Sequence, residues 1–231
     1  MDRIFPFKRP DRGFSLVEML AVVVIIGILA GFIAAAAQAA KRRALITRMR
    51  IELDGLAQAM ETYRTEVGSG AYPPSDPGLA AQHLRRAFPR YAGGMSATFS
   101  GPAEAIHFWL AGPTGDGWSA NPTNPFMAAG SRVGPFFEFD PDKIRGNHEY
   151  LPFVGSTDGY VYIRADSYSS GSAITRDGTE YANPYSFQIH GPGLDGKLGS
   201  GGHLNSSDGY DDDRWDDINN CCEGTLGDRN K

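Results

Sequence analysis

Cysteine is nearly absent: the 231 residues hold two, Cys221 and Cys222, and they are adjacent. Two neighbouring thiols exclude a disulfide framework and do not give the spaced ligand pairs of a zinc site; a vicinal disulfide, a link between subunits and inert thiols all remain open. A basic surplus is missing as well. Asp and Glu number 27 against 22 Lys and Arg, which argues against nucleic acid as a partner, because phosphate binding needs a basic footprint. No G-x-S-x-G, H-E-x-x-H or C-x-x-C occurs, and the five histidines are scattered without ligand spacing, so no enzyme is predicted. Internal repeats and low-complexity linkers are also lacking. Gly191-Pro192-Gly193-Leu194-Asp195-Gly196 formally fits G-x-G-x-x-G, but no helix is predicted after it to present its N-terminus to a phosphate, and the nearby acids would repel one.

What is present is polarised. Residues 1–13 carry Arg3, Lys8, Arg9 and Arg12 against Asp2 and Asp11, whereas Asp208, Asp211, Asp212, Asp213, Asp216, Asp217, Glu223 and Asp228 crowd the other end. Between Phe14 and Ala40 the chain is apolar with one charge, Glu18. At ~1.5 Å per residue such a run exceeds the ~30 Å hydrocarbon core of a bilayer. Past it, Leu45, Met49, Leu53, Leu56, Met60 and Tyr63 recur at three- and four-residue steps, an amphipathic stripe. Neither half contains proline, so one helix is predicted from about Phe14 to Glu66, ended by Gly68-Ser69-Gly70 and barred from resuming by Pro73-Pro74. Leu79–Phe88 reads as a short amphipathic helix. Ile106–Leu110, Phe136–Phe139, Tyr160–Arg164 and Tyr185–His190, rich in aromatic and β-branched residues, read as antiparallel strands; Pro113–Gly134 and Asp166–Pro184 read as long loops. His107, Phe108, Trp109, Phe136, Phe137 and Phe139 are assigned to the core. The fold class is therefore α+β: a long N-terminal helix packed on a small antiparallel sheet, with a Gly/Asp-rich C-terminal loop.

A carboxylate inside an apolar run costs ~3 kcal/mol or more in a bilayer unless it finds a partner. A cut between Gly13 and Phe14 would create one, the α-amine of Phe14 on a neighbouring copy. Gly13 admits a peptidase because it has no side chain, and Lys8, Arg9 and Arg12 would hold the leader in the cytoplasm. Three other readings exist: a removable signal ending at Ala37-Gln38-Ala39, a plain membrane anchor, and an acid that merely snorkels to the interface. The first would need an apolar region far longer than the usual one, and none explains length, Gly13 and Glu18 together.

Gly13-Phe14-Ser15-Leu16-Val17-Glu18-Met19-Leu20 resembles the prepilin cleavage and methylation motif of type IV pilins and type II secretion pseudopilins. The resemblance implies a basic leader (1–13), a transmembrane and assembly helix (14–40), its amphipathic outer half (41–66) and a periplasmic α+β head (67–231). It further implies cleavage after Gly13 by a prepilin peptidase, N-methylation of Phe14, and Glu18 as the assembly residue. The subunit would sit in the inner membrane with its N-terminus cytoplasmic. It would then polymerise with its own copies and other pilin-like subunits on an inner-membrane assembly platform, as a secretion pseudopilus or a pilus. The other reading is a minor or tip subunit that binds cargo, a surface or DNA.

Glycine-rich Leu194–Gly202 followed by Asp211-Asp212-Asp213 and Asp216-Asp217 gathers hard oxygen donors that suit calcium; a solvated acidic tail is the bland alternative. The stretch resembles the calcium loop of the major pseudopilin, as Tyr72-Pro73-Pro74 with Gly78-Leu79 resembles that family's loop after the long helix. The resemblance nominates Asp195, Asp213, Asp216 and Asp217 as Ca2+ ligands.

Overall fold

A computed structural model describes residues 15–95, 99–170, 173–176, 178–199 and 216–222. The chain forms two compact units, Met1–Ala44 and Leu45–Lys231. Helix α1, Leu16–Glu66, contributes to both. Its first part, rich in Val, Ile, Leu and Ala, is wholly exposed, with Leu16 at 84% and Phe32 at 71% accessibility. Its second part buries Met49, Leu53, Leu56, Met60 and Tyr63, five of the six residues of the predicted stripe; Leu45 stays 40% exposed. The helix ends where predicted: the Gly68 N–H donates to the Tyr63 carbonyl at 2.8 Å and Gly70 N–H to the Arg64 carbonyl at 2.9 Å. A Cβ on Gly68 would lie 2.3 Å from the Ala71 carbonyl oxygen, so only glycine lets the chain fold back this tightly.

The following loop is tied into the core through its carbonyls. Pro73 O accepts from the Tyr162 hydroxyl at 2.7 Å and Pro74 O from the Trp109 indole at 2.9 Å. After a 3-10 turn at Pro77–Leu79, opened by Asp76 accepting from the Gly78 N–H, comes α2, Ala80–Ala87. Helix α3 spans Pro102–Ala111. It replaces the strand predicted at Ile106–Leu110. Pro102 occupies the first turn, the Glu104 carboxylate accepts the Ser100 N–H at 2.7 Å, and Gly112 at φ 79° stops the helix. Ala105 to Ala111 are all buried, so no polar face exists to reveal the helical period.

Short antiparallel pairs follow: β1 (Trp118–Ser119) with β2 (Arg132–Val133), and β3 (Ile144–Arg145) with β4 (Glu149–Tyr150). The first pair lies within Pro113–Gly134, predicted as loop. Phe136–Phe139 is not a strand. Phe136, Phe137 and Phe139 instead pack as partly buried rings on the core, and the Phe136 N–H bonds to the Leu110 carbonyl of α3 at 2.9 Å. The main sheet is β5 (Val161–Arg164), β6 (Phe187–Gly191) and β7 (Ile218–Asn219), all antiparallel, with Val161 opposite His190 and Gly191 opposite Ile218. β5 and β6 realise two predicted strands, although Tyr185 stays outside β6. Helix α3 packs on β4 and β5, and one core joins the buried stripe of α1, Leu84, Phe108, Trp109, Trp118, Tyr150, Tyr160, Tyr162, Phe187 and Ile189. The architecture is the α+β arrangement that the sequence predicts.

Candidate functional site

The first candidate is the start of α1. Ser15 and Glu18 cap it reciprocally: the Ser15 N–H donates to Glu18 Oε2 at 2.9 Å, and the Glu18 N–H to Ser15 Oγ at 3.2 Å. This is a capping box, which satisfies two of the amide donors that a helix start leaves free. Its S-x-x-E signature stands in the sequence as Ser15-Leu16-Val17-Glu18. Glu18 is therefore held by its own helix within one chain, a local role beside the predicted one. Gly13 and Phe14 lie outside the described residues. Leu16–Glu66 is the one described helix long and apolar enough to cross a membrane, and none of its most apolar window is buried. Water is a poor solvent for that surface, at ~25 cal/mol per Å² of apolar area.

The second candidate is the loop after β6. Asp216 Oδ2 accepts the N–H groups of Leu194 at 2.7 Å and Asp195 at 3.2 Å; Asp195 caps Lys197 N–H at 2.9 Å, Asp158 caps Leu198 N–H at 2.9 Å, and Asp217 accepts from Gly199 N–H at 3.2 Å. A Cβ on Gly193 would meet Asp216 at 2.2 Å, so glycine is what lets this loop close on the Asp216 segment. The structure thus brings Asp216 and Asp217 to the backbone of the loop that carries Asp195 and adds Asp158, which the sequence reading missed. Asp213 lies outside the described residues. Burial, then the neighbouring Asp195 charge, pushes the Asp216 carboxyl up from its ordinary range. Among the described residues, no three Asp, Glu, His or Cys side chains gather closely enough to hold a metal ion. The donors found here are hard oxygens, as calcium requires, but they are too few to complete its usual 6–8 ligands.

The third cluster fixes α1 to the head. Glu52 sits three residues after Met49 on the buried stripe. It accepts from Lys143 Nζ at 2.6 Å, Tyr150 Oη at 2.6 Å and Tyr160 Oη at 2.9 Å. Arg50, two residues earlier on α1, does similar work at the other edge, where it donates to the carbonyls of Asn219, at 2.6 Å, and Cys222. The Cys221 and Cys222 side chains are half-buried and buried. His107 on α3 meets His148, Nδ1 to Nδ1, at 2.8 Å, and burial lowers both rings. His83 bonds to the Tyr63 hydroxyl at 3.1 Å.

Residues 8–34 match the family model described as the prokaryotic N-terminal methylation motif. Over 74 residues the chain is 32% identical to the type II secretion system core protein G of Pseudomonas aeruginosa, covering 32% of this chain and 51% of that protein. With the protein of the same name from Vibrio cholerae it shares 34% over 73 residues, 32% of this chain and 49% of that one. These findings support a pseudopilin or type IV pilin-like family. The chain spans about half the length of the curated relatives it matches. No solved structure matches it significantly. A pilin-like family accounts for the capped, exposed apolar helix followed by an α+β head. The pilin-like signal lies in the motif and in part of the chain only, and the two C-terminal features, the aspartate loop and the paired cysteines, have to be read on their own chemistry.

Proposed function

We propose that the chain is a prepilin-like structural subunit, not an enzyme. It is cleaved after Gly13, N-methylated at Phe14 and polymerised through α1 into a type II secretion pseudopilus or a type IV pilus. One observation carries this reading: the lone carboxylate in the apolar, exposed first part of α1 coincides with the methylation motif. Before assembly the subunit crosses the inner membrane once, leader in the cytoplasm and head in the periplasm. A prepilin peptidase cuts the leader and exposes the Phe14 α-amine. Within a filament the apolar faces bury one another, and Glu18 of one subunit neutralises the amine of its neighbour. Leaving the capping box for that amine exchanges a neutral donor for a cation, a stronger hydrogen bond in a dry core. Within the head, Glu52 and Arg50 hold the outer part of α1 to β4, β7 and the segments beside them.

Calcium belongs to the same proposal. Asp195, Asp213, Asp216 and Asp217 would hold it. The mutual proximity of Asp195 and Asp216 supports a cation there, because a bound charge of +2 would relieve their repulsion. Calorimetry and thermal shift of the detergent-solubilised protein with millimolar calcium test it; neither heat nor stabilisation would remove the calcium assignment.

The experiment for the main reading has two readouts. Mass spectrometry of the mature protein is expected to show methylated Phe14 as its first residue. Glu18→Val is expected to leave cleavage and membrane level intact but to eliminate the subunit from sheared filaments. A mature protein that begins elsewhere, or wild-type incorporation of the variant, would overturn the proposal.

A further inference from the structure

The head concentrates arginine at a place that neither the helix start nor the aspartate loop uses. From Pro77 to Ala103 the chain holds Arg85, Arg86 and Arg90 and no acid, in a protein of net charge −5. Arg85 and Arg86 form the last turn of α2, all three are exposed, and none has an ion-pair partner among the described residues. Arg86 looks into two adjoining cavities. One, of about 330 Å³, runs past Gln82 and His83; the other, of about 350 Å³, runs past Arg64, Tyr72 and Tyr185. Both are lined by Ala71, Arg86, Arg164 and Asp166, so they form one continuous groove.

The lining is unbalanced. Arg64, Arg86 and Arg164 face a single carboxylate, Asp166, which Arg164 Nε binds at 2.8 Å. Arg64 donates to the Tyr72 hydroxyl at 2.9 Å and lies 3.6 Å from Glu61 just outside the lining. His83 on the groove wall is held neutral, its pKa lowered to about 3 by burial first and then by the Arg164 and Arg86 charges. Tyr185 stands at the rim with 94% of its surface exposed. An elongated slot with forked guanidiniums and an exposed ring suits a row of carboxylates on an extended peptide, which guanidinium forks take bidentately. A nucleic-acid duplex fits less well. Asp166 and Glu61 would repel its phosphates, as would the overall negative charge.

We propose that this groove binds an acidic peptide segment, and that the segment is Asp208–Asp212 of a second copy of the chain, where three acids fall within five residues around Tyr210. The contact adds a head-to-head link to the filament reading and in that sense rests on it. Its first test does not need a filament. A fluorescent peptide of residues 205–214 is titrated onto the detergent-solubilised full chain. Saturable binding that weakens with salt is expected, and Arg86→Glu is expected to weaken it about tenfold. A peptide in which Asp211 and Asp212 are replaced by Arg should recover affinity for the Arg86→Glu protein. In cells, two differently tagged copies carrying Arg86→Cys and Asp211→Cys, both with Cys221→Ser and Cys222→Ser, should form a cross-link between the tags. Absence of peptide binding, equal binding by Arg86→Glu, tighter binding of a DNA duplex than of the peptide, or no cross-link between tags would each overturn the proposal. Such a failure would leave the Glu18 and Phe14 readouts untouched, so the two readings fail separately.

Discussion

Glu52 illustrates what a single part-buried charge does in this head. Its carboxylate is the meeting point of an ammonium from the β3 approach and two phenols from β4 and the turn before β5. Removing it by Glu52→Ala leaves Lys143 buried with no counter-charge, a change that costs about 3–5 kcal/mol in comparable sites. The midpoint of chemical denaturation should fall accordingly, while Lys143→Met with Glu52→Leu should recover much of the loss. The sequence reading passed over Glu52, although it stands three residues from Met49 and one before Leu53; its partners lie about a hundred residues away, beyond the reach of local pattern. The histidines give a second residue-scale expectation. His83 and His107 titrate near pH 3 and 4 in the folded protein, mainly because burial disfavours the imidazolium, against about 6.5 when unfolded. Between pH 6.5 and 4 the unfolded chain therefore binds more protons, so stability is lost as pH falls through that window and is complete above it. Thermal melts at pH 7, 5.5 and 4.5 should descend in that order, and His83→Gln should flatten the slope.

At the scale of elements, legibility followed polarity. The second part of α1 was readable to within a few residues because its stripe alternates with Lys, Arg, Glu and Asp, and β5 and β6 were readable because short aromatic and β-branched runs there are bounded by Gly and Pro. Helix α3 was misread as a strand for the opposite reason. It is covered on every side, so Ile106 to Leu110 shows neither a 3.6-residue nor a two-residue period. Its type was marked at the ends instead, by Pro102 and Gly112. That end is strict: Gly112 has φ 79°, and a Cβ there would lie 2.3 Å from the Gly117 carbonyl oxygen. Gly112→Ala is expected to destabilise the head by about 1–3 kcal/mol, seen as a lower denaturation midpoint with no change in membrane insertion.

For the molecule as a whole, the decisive question is whether Glu18 matters as a charge or as a cap. The sequence made the charge visible, as one acid in an apolar run. The structure adds that the same side chain closes a capping box with Ser15, so the loss of assembly expected of Glu18→Val would have two physical explanations: the missing counter-charge and a frayed helix start. Glu18→Gln separates them. Glutamine serves at this capping position as glutamate does, accepting the Ser15 N–H through its amide oxygen, yet it cannot neutralise an amine. If assembly depends on charge, the variant should be cleaved, keep the helical content of the wild type in detergent and be missing from filaments. A cap-only role predicts instead that it enters filaments at the wild-type level. Adding Ser15→Ala to the wild-type Glu18 background completes the comparison. That substitution removes one half of the box, at about 1 kcal/mol of helix stability, but keeps the carboxylate, so incorporation should persist wherever the charge is the determinant.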